Sequence, residues 1–142
     1  MKLLLTLTAL VCFVPSASPG CLANEGQAIM QATFRLTDGR TSGTAWLVSA
    51  PAENKNLKTT VVVTAAHVFK NLNGEIATLI LRKKNDDGSF ERLEHKFSIR
   101  ENERSLWEQH IRYDIAAIKI ALPKEAAVKP IPLNQLTKAE SA

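Results

Sequence analysis

The sequence predicts an all-β fold of short antiparallel strands, on three observations. Alternating or β-branched apolar stretches recur at residues 28–36, 44–49, 59–64, 76–84, 90–99 and 115–122. Glycine-containing turn signals join two of the pairs, at Asp38-Gly39 and Asp87-Gly88. After the first residues the hydrophobic period is 2, not 3.6, so almost no helix is expected. About six strands of this kind, separated by turns, indicate an antiparallel barrel or sandwich.

Taken in order, residues 28–36 place Ala28, Met30, Ala32, Phe34 and Leu36 on one face and Gln31, Thr33 and Arg35 on the other; only Ile29 breaks the pattern. Asp38-Gly39 supplies a hairpin turn, since glycine accepts the positive φ such turns require. Residues 44–49 contain Ala45-Trp46-Leu47-Val48, and the polar residues 51–58 read as a surface loop. The run Thr59-Thr60-Val61-Val62-Val63-Thr64 has no polar face, which suits a strand buried on both sides. Residues 76–84 and 90–99 form the arms of a hairpin around Asn85-Asp86-Asp87-Gly88. Residues 100–112 are a charged connecting segment that holds Trp107 and His110. The strand at 115–122 is the last, because Pro123, Pro130 and Pro132 interrupt regular structure after it.

With 142 residues, the chain has room for one domain and excludes a multi-domain enzyme. Its 45% hydrophobic and 23% charged composition is that of an ordinary globular protein. A net charge of +4 is too mild to imply nucleic acid, and the basic residues at 83–84 and 100–104 are interleaved with Asn, Asp and Glu. Near the start, Lys2 precedes an uncharged apolar run that is too short to span a membrane. Small residues follow, so residues 1–23 read as a secretory signal peptide and residues 24–142 as the exported domain, secreted or periplasmic. The competing reading of that run is a retained hydrophobic anchor. Cys21-Leu22-Ala23 and Ser16-Ala17-Ser18 are both small-x-small cleavage candidates; lipidation of Cys21 is a third option, in a poorly matching lipobox. Cys12 and Cys21 are the only cysteines, so after cleavage at Ala23 no disulfide can staple the domain and its core must stabilise it.

The chemistry-bearing residues are few. His67 follows the apolar run at 59–64 after two alanines, which leave room for its ring to turn back across the strand end. By itself it reads more readily as a structural polar cap than as a functional residue. Asp114 directly precedes the apolar strand at 115–122, where a carboxylate is costly unless paired. A neutral histidine offering Nδ1–H is the natural partner, which makes His67 and Asp114 the base and orienter of a nucleophilic triad. His110 stands four residues from Asp114 with no third ligand evident, and His95 reads as a surface residue of a hairpin arm. Trp46 and Trp107 read as core and loop packing. The chain contains no glycine-rich phosphate loop and no Cys-x-x-Cys, so no cofactor or metal is expected.

Four segments in order carry a family resemblance: Ser42-Gly43-Thr44-Ala45-Trp46-Leu47-Val48-Ser49, Thr64-Ala65-Ala66-His67, Asp114-Ile115-Ala116-Ala117-Ile118-Lys119-Ile120 and Val128-Lys129-Pro130-Ile131-Pro132-Leu133. Together they resemble the trypsin/chymotrypsin-like serine peptidases over about residues 28–133. The resemblance implies an antiparallel six-stranded β-barrel, the first barrel of the two-barrel fold, in a secreted endopeptidase acting on polypeptides. It implies His67 as general base and then general acid. Asp114 would orient it, partly through hydrogen bonds with the backbone around Ala66 and His67. Val68 stands where many animal members carry cysteine, in keeping with a bacterial-type member.

One departure bears on catalysis. The family's nucleophile lies in a Gly-Asp-Ser-Gly-Gly segment, which this sequence lacks. After Asp114 the only serine is Ser141, without flanking glycines whose N–H groups could form an oxyanion hole. The expectation is therefore a chain truncated before the nucleophile half, inactive alone, with an apolar face open where the missing second barrel would pack. The alternative is a non-catalytic exported or lipid-anchored binding module derived from such a barrel.

Overall fold

The backbone polar groups of the strand-forming segments are satisfied in one large, almost wholly antiparallel sheet. The computed structural model describes residues 20–51 and 58–136. Its long strands are β1 (Thr33–Thr37), β2 (Ser42–Pro51), β3 (Lys58–Thr64), β4 (Ile76–Lys84), β5 (Phe90–Ser98) and, later in the chain, β9 (Ala116–Ile120). Between the last two lie the two-residue strands β6 (Arg100–Glu101), β7 (Arg104–Ser105) and β8 (Glu108–Gln109). The short β10 (Ile131–Pro132) follows β9, and the helices are α1 (Gly20–Ala32), α2 (Ala66–Asn71) and α3 (Leu133–Leu136).

Strand order in the eight-stranded sheet is β5-β4-β1-β2-β3-β9-β8, with β10 lying parallel to β2. The fold is mostly β, as the periodicity predicts, but the hydrogen-bonded path is open. β5 and β8 are its two ends, and residues 100–105 between them pair with each other as β6–β7 instead of bridging the gap. The expected closed six-stranded ladder is therefore not what the described residues form.

Period-2 alternation sends one face of each long strand into a single core. Phe34 and Leu36 of β1, Ala45 and Leu47 of β2, Val62 of β3, Ala77, Leu79 and Leu81 of β4, and Ala116 and Ile118 of β9 all belong to it. The register Val62↔Ile118 and Leu36↔Leu79 keeps these residues on the same side. A one-residue slip would turn a whole row out to solvent, so the apolar pattern specifies the pairing.

Three local expectations are corrected. Residues 28–32 are the end of α1 rather than the start of a strand. Ala, Met and Gln are good helix formers, and their alternation with polar residues is too short to override that propensity; accordingly Ile29 and Met30 face solvent. β3, expected to be buried on both sides, is buried on one face only, because Val61 and Val63 line an open depression on the outer side of the sheet. The segment 100–112 is not simply a charged connection but contributes β6, β7 and β8. Other expectations match. β4 has the predicted bounds, and Gly39 and Gly88 hold positive φ of 94° and 84° at the two turns. Residues 1–19 of the expected signal segment, the centre of the 51–58 loop and Ser141 lie outside the described residues.

The β6–β7 hairpin turns on two left-handed residues, Asn102 at φ 48° and Glu103 at φ 66°. Asparagine tolerates this region, whereas glutamate is strained there by roughly 1–2 kcal/mol. Glu103→Gly should therefore raise stability by about 0.5–1 kcal/mol after the entropic cost of glycine, read as a higher urea midpoint with unchanged slope.

Candidate active site

The site is built where β3 ends. Thr64, 1% exposed, donates its hydroxyl to Thr44 O at 2.7 Å, which ties the end of β3 to β2. Ala65 stays extended and Ala66, fully buried, begins α2. Six residues are too few for a helix to persist by its own hydrogen bonds, and Ala65 offers no side-chain cap. Contacts to other elements hold α2 instead. Phe69 is fully buried and stacks on Trp107, ring centroids 5.5 Å apart.

Asp114, two residues before β9, supplies the missing cap. Its backbone carbonyl accepts the Ala66 N–H at 3.3 Å and its Oδ1 accepts the His67 N–H at 2.9 Å. Two of the orphan donors at the start of α2 are thereby satisfied. The other carboxylate oxygen, Oδ2, meets His67 Nδ1 in a short hydrogen bond. His67 and Asp114 are thus brought together, held through both backbone and side chain. A carboxylate beside an apolar strand is expected to be costly through burial, yet these two side chains are 62% and 56% exposed. Solvent screens the pair, so its orientation matters more than its strength. The hydrogen bond to His67 first, and the His67 backbone N–H second, hold the Asp114 carboxyl below the usual carboxylate value.

His67 Nε2 makes no hydrogen bond among the described residues. Beside the ring is a depression of about 270 Å³ lined by Thr41, Ser42, Val68, Asn71 and Leu72. A carboxylate-oriented imidazole with its far nitrogen open can take a proton from a hydroxyl placed there and return it. A larger depression of about 630 Å³ is lined by Trp46, Val48, Val61, Val63, Ala117 and other apolar residues, but not by His67 or Asp114.

The remaining candidates fall elsewhere. His110 turns Nδ1 onto its own loop, accepting the Arg112 and Tyr113 N–H groups at 3.1 and 3.3 Å, and thereby shapes the turn that leads into Asp114. Among the described residues no group of three or more His, Cys, Asp or Glu is placed to hold a metal. His95 is not a surface residue. The strand period sets it on the inner side of β5 with Leu93 and Phe97, half-buried, its Nε2 covered and without a partner among the described residues. Trp107 packs as expected, whereas Trp46 is 42% exposed on the outer face.

The family model described as Trypsin matches residues 55–142, more than half of the chain and inclusive of both His67 and Asp114. The chain belongs to the trypsin family. No curated protein and no solved structure gives a significant match. The match to trypsin begins after the segment at 42–49, although that segment sits against the site in space. No helix among the described residues is long and apolar enough to cross a membrane.

Gly43 shows what that segment does in this trypsin relative. A Cβ there would lie 2.7 Å from both methyls of Val68, the residue after His67. Nothing in the sequence marks Gly43 for this role, since only the packing of α2 on β2 creates the constraint. Gly43→Ala should cost about 1–3 kcal/mol in urea unfolding and move the His67 amide resonance. The Asp114 link should also respond to acid. Its folded pKa lies below the ordinary 3.8, so the stabilisation is complete above that value and is lost as pH falls through the folded one. The side-chain carboxyl ¹³C resonance of Asp114 should therefore titrate below the ordinary carboxylate value, and Asp114→Asn should abolish that transition.

Proposed function

We propose that this chain is the base-bearing part of a secreted serine endopeptidase, with the nucleophilic serine supplied from outside residues 1–142. The observation that carries the reading is the two-point hold of Asp114 on His67, which fixes an exposed ring whose Nε2 has no hydrogen-bond partner among the described residues. In this mechanism Nε2 takes the proton of the serine hydroxyl as Oγ attacks the scissile carbonyl carbon. The imidazolium that forms is stabilised by Asp114, which keeps its own charge. Nε2 then returns the proton to the leaving amine as the carbon–nitrogen bond breaks and an acyl ester remains. Water, deprotonated by the same nitrogen, hydrolyses the ester and frees serine. Closure of the sheet into the first barrel of a two-barrel molecule, export through the segment 1–23 and loss of that segment belong to the same reading. The open apolar face around Trp46, Val61 and Val63 supports a second body packing on the sheet.

A fluorophosphonate probe applied to the secreted gene product tests the proposal. The product should be labelled and should hydrolyse casein. His67→Ala should lower both rates by at least about 10³-fold and Asp114→Asn by about 10³–10⁴-fold, with folding retained. A folded product that takes no label and cleaves nothing would leave the non-catalytic binding module as the reading.

A further inference from the structure

The helix that carries His67 is held at its other end by a residue outside the quoted motifs. Arg100, at the start of β6, directs Nη2 to Phe69 O at 2.8 Å and Nη1 to Leu72 O at 2.9 Å and Gly74 O at 2.6 Å. Phe69 lies within α2 and Leu72 is its C-cap. Carbonyls at a helix end lack intrahelical donors, and they carry the negative end of the helix dipole. A planar guanidinium serves several of them at once, as a lysine ammonium on its flexible stem does not. The backbone of Arg100 is itself fixed, since the Ile99 and Arg100 N–H groups both donate to Glu75 O, at 2.7 and 3.3 Å.

We propose that Arg100 is a positioning residue for His67, acting through α2; this rests on the reading of His67 as the catalytic base. α2 has less than two turns and no side-chain cap of its own, so its rotation about its axis is set by what grips its ends. Asp114 grips the start and Arg100 the finish. Among the described residues, the only other side-chain donor to an α2 carbonyl is the Thr41 hydroxyl, on Asn71 O at 3.3 Å. Asp38 acts further out, where its Oδ2 accepts the Asn73 N–H at 2.7 Å and steadies the loop after the helix. Releasing the Arg100 contacts frees α2 to rotate on its Phe69 anchor and swings the His67 ring off Asp114. Misplacement of this kind on the scale of 1 Å can cost on the order of 10²-fold in rate.

The test compares Arg100→Met and Arg100→Lys in the ¹⁵N-labelled secreted gene product. In Arg100→Met, amide exchange at His67 should quicken about tenfold, the low-field Nδ1 proton of His67 should broaden away, and kcat should fall about tenfold at unchanged KM. The amides of Leu79 and Leu81 in β4 should keep their rates, and Arg100→Lys should recover part of each loss. Unchanged exchange and an unchanged Nδ1 proton in Arg100→Met overturn the inference and leave the peptidase reading standing. Equal quickening at His67 and in β4 overturns it too, because the role is then general stability. Should Arg100→Met fail to fold, Arg100→Gln is read by the same criteria. If the unmodified product shows neither a protected His67 amide nor a low-field proton, the triad reading fails and the positioning role with it.

Discussion

Everything at the His67 end of the sheet depends on the register of β3 against β9. Thr64 lies opposite Ala116, so the chain leaving β3 and the chain entering β9 share one edge. From there His67 is three residues onward and Asp114 two residues back, close enough for the carboxylate to reach both the amide and the ring. The apolar residues enforce this alignment, because Val62 and Ile118 must both face the core. Burial of a branched aliphatic side chain contributes about 1.5–3 kcal/mol, more than an exposed ion pair does. The core therefore places the pair, and the pair does not place the core.

α2 shows the converse dependence of local structure on tertiary contacts. Its sequence contains one good anchor, Phe69, and no capping side chain. The fold supplies the rest: Asp114 at one end, Arg100 at the other, Trp107 over Phe69 and the glycine floor at Gly43 beneath Val68. A histidine on so short a helix is positioned by what surrounds it, which is why residues far apart in sequence bear on one ring.

The outer face of the sheet explains the unusual composition of β3. A strand with Val61, Val62 and Val63 in a row has no side suited to water. One side meets the core, while the other lines an apolar depression with Trp46, Val48 and Ala117. Apolar surface of this kind on a sheet exterior is characteristic of a face that meets another body.

The strands were legible because a period of 2 is imposed by backbone geometry and needs no tertiary information. β2, β4, β5 and β9 follow from such patterning, β3 from its β-branched run, and the turns at Gly39 and Gly88 from the positive φ that glycine accepts. His67 and Asp114 were legible as a pair from the family-like segments at 64–67 and 114–120, whereas the burial argument for pairing fails because both side chains are exposed. The openness of the sheet path was not legible, since alternation cannot say whether two edge strands meet. Nor was α1, where helix propensity outweighs a brief alternation, nor the inward side of His95 in a hairpin that looks polar. Arg100 and Gly43 were invisible as functional positions because their roles exist only between segments. By itself the sequence determined which stretches form most of the strands and where the few histidines and carboxylates stand along them. Only the tertiary structure decided how a six-residue helix is gripped at both ends, because hydrogen bonds across distant segments leave no periodic trace in the chain.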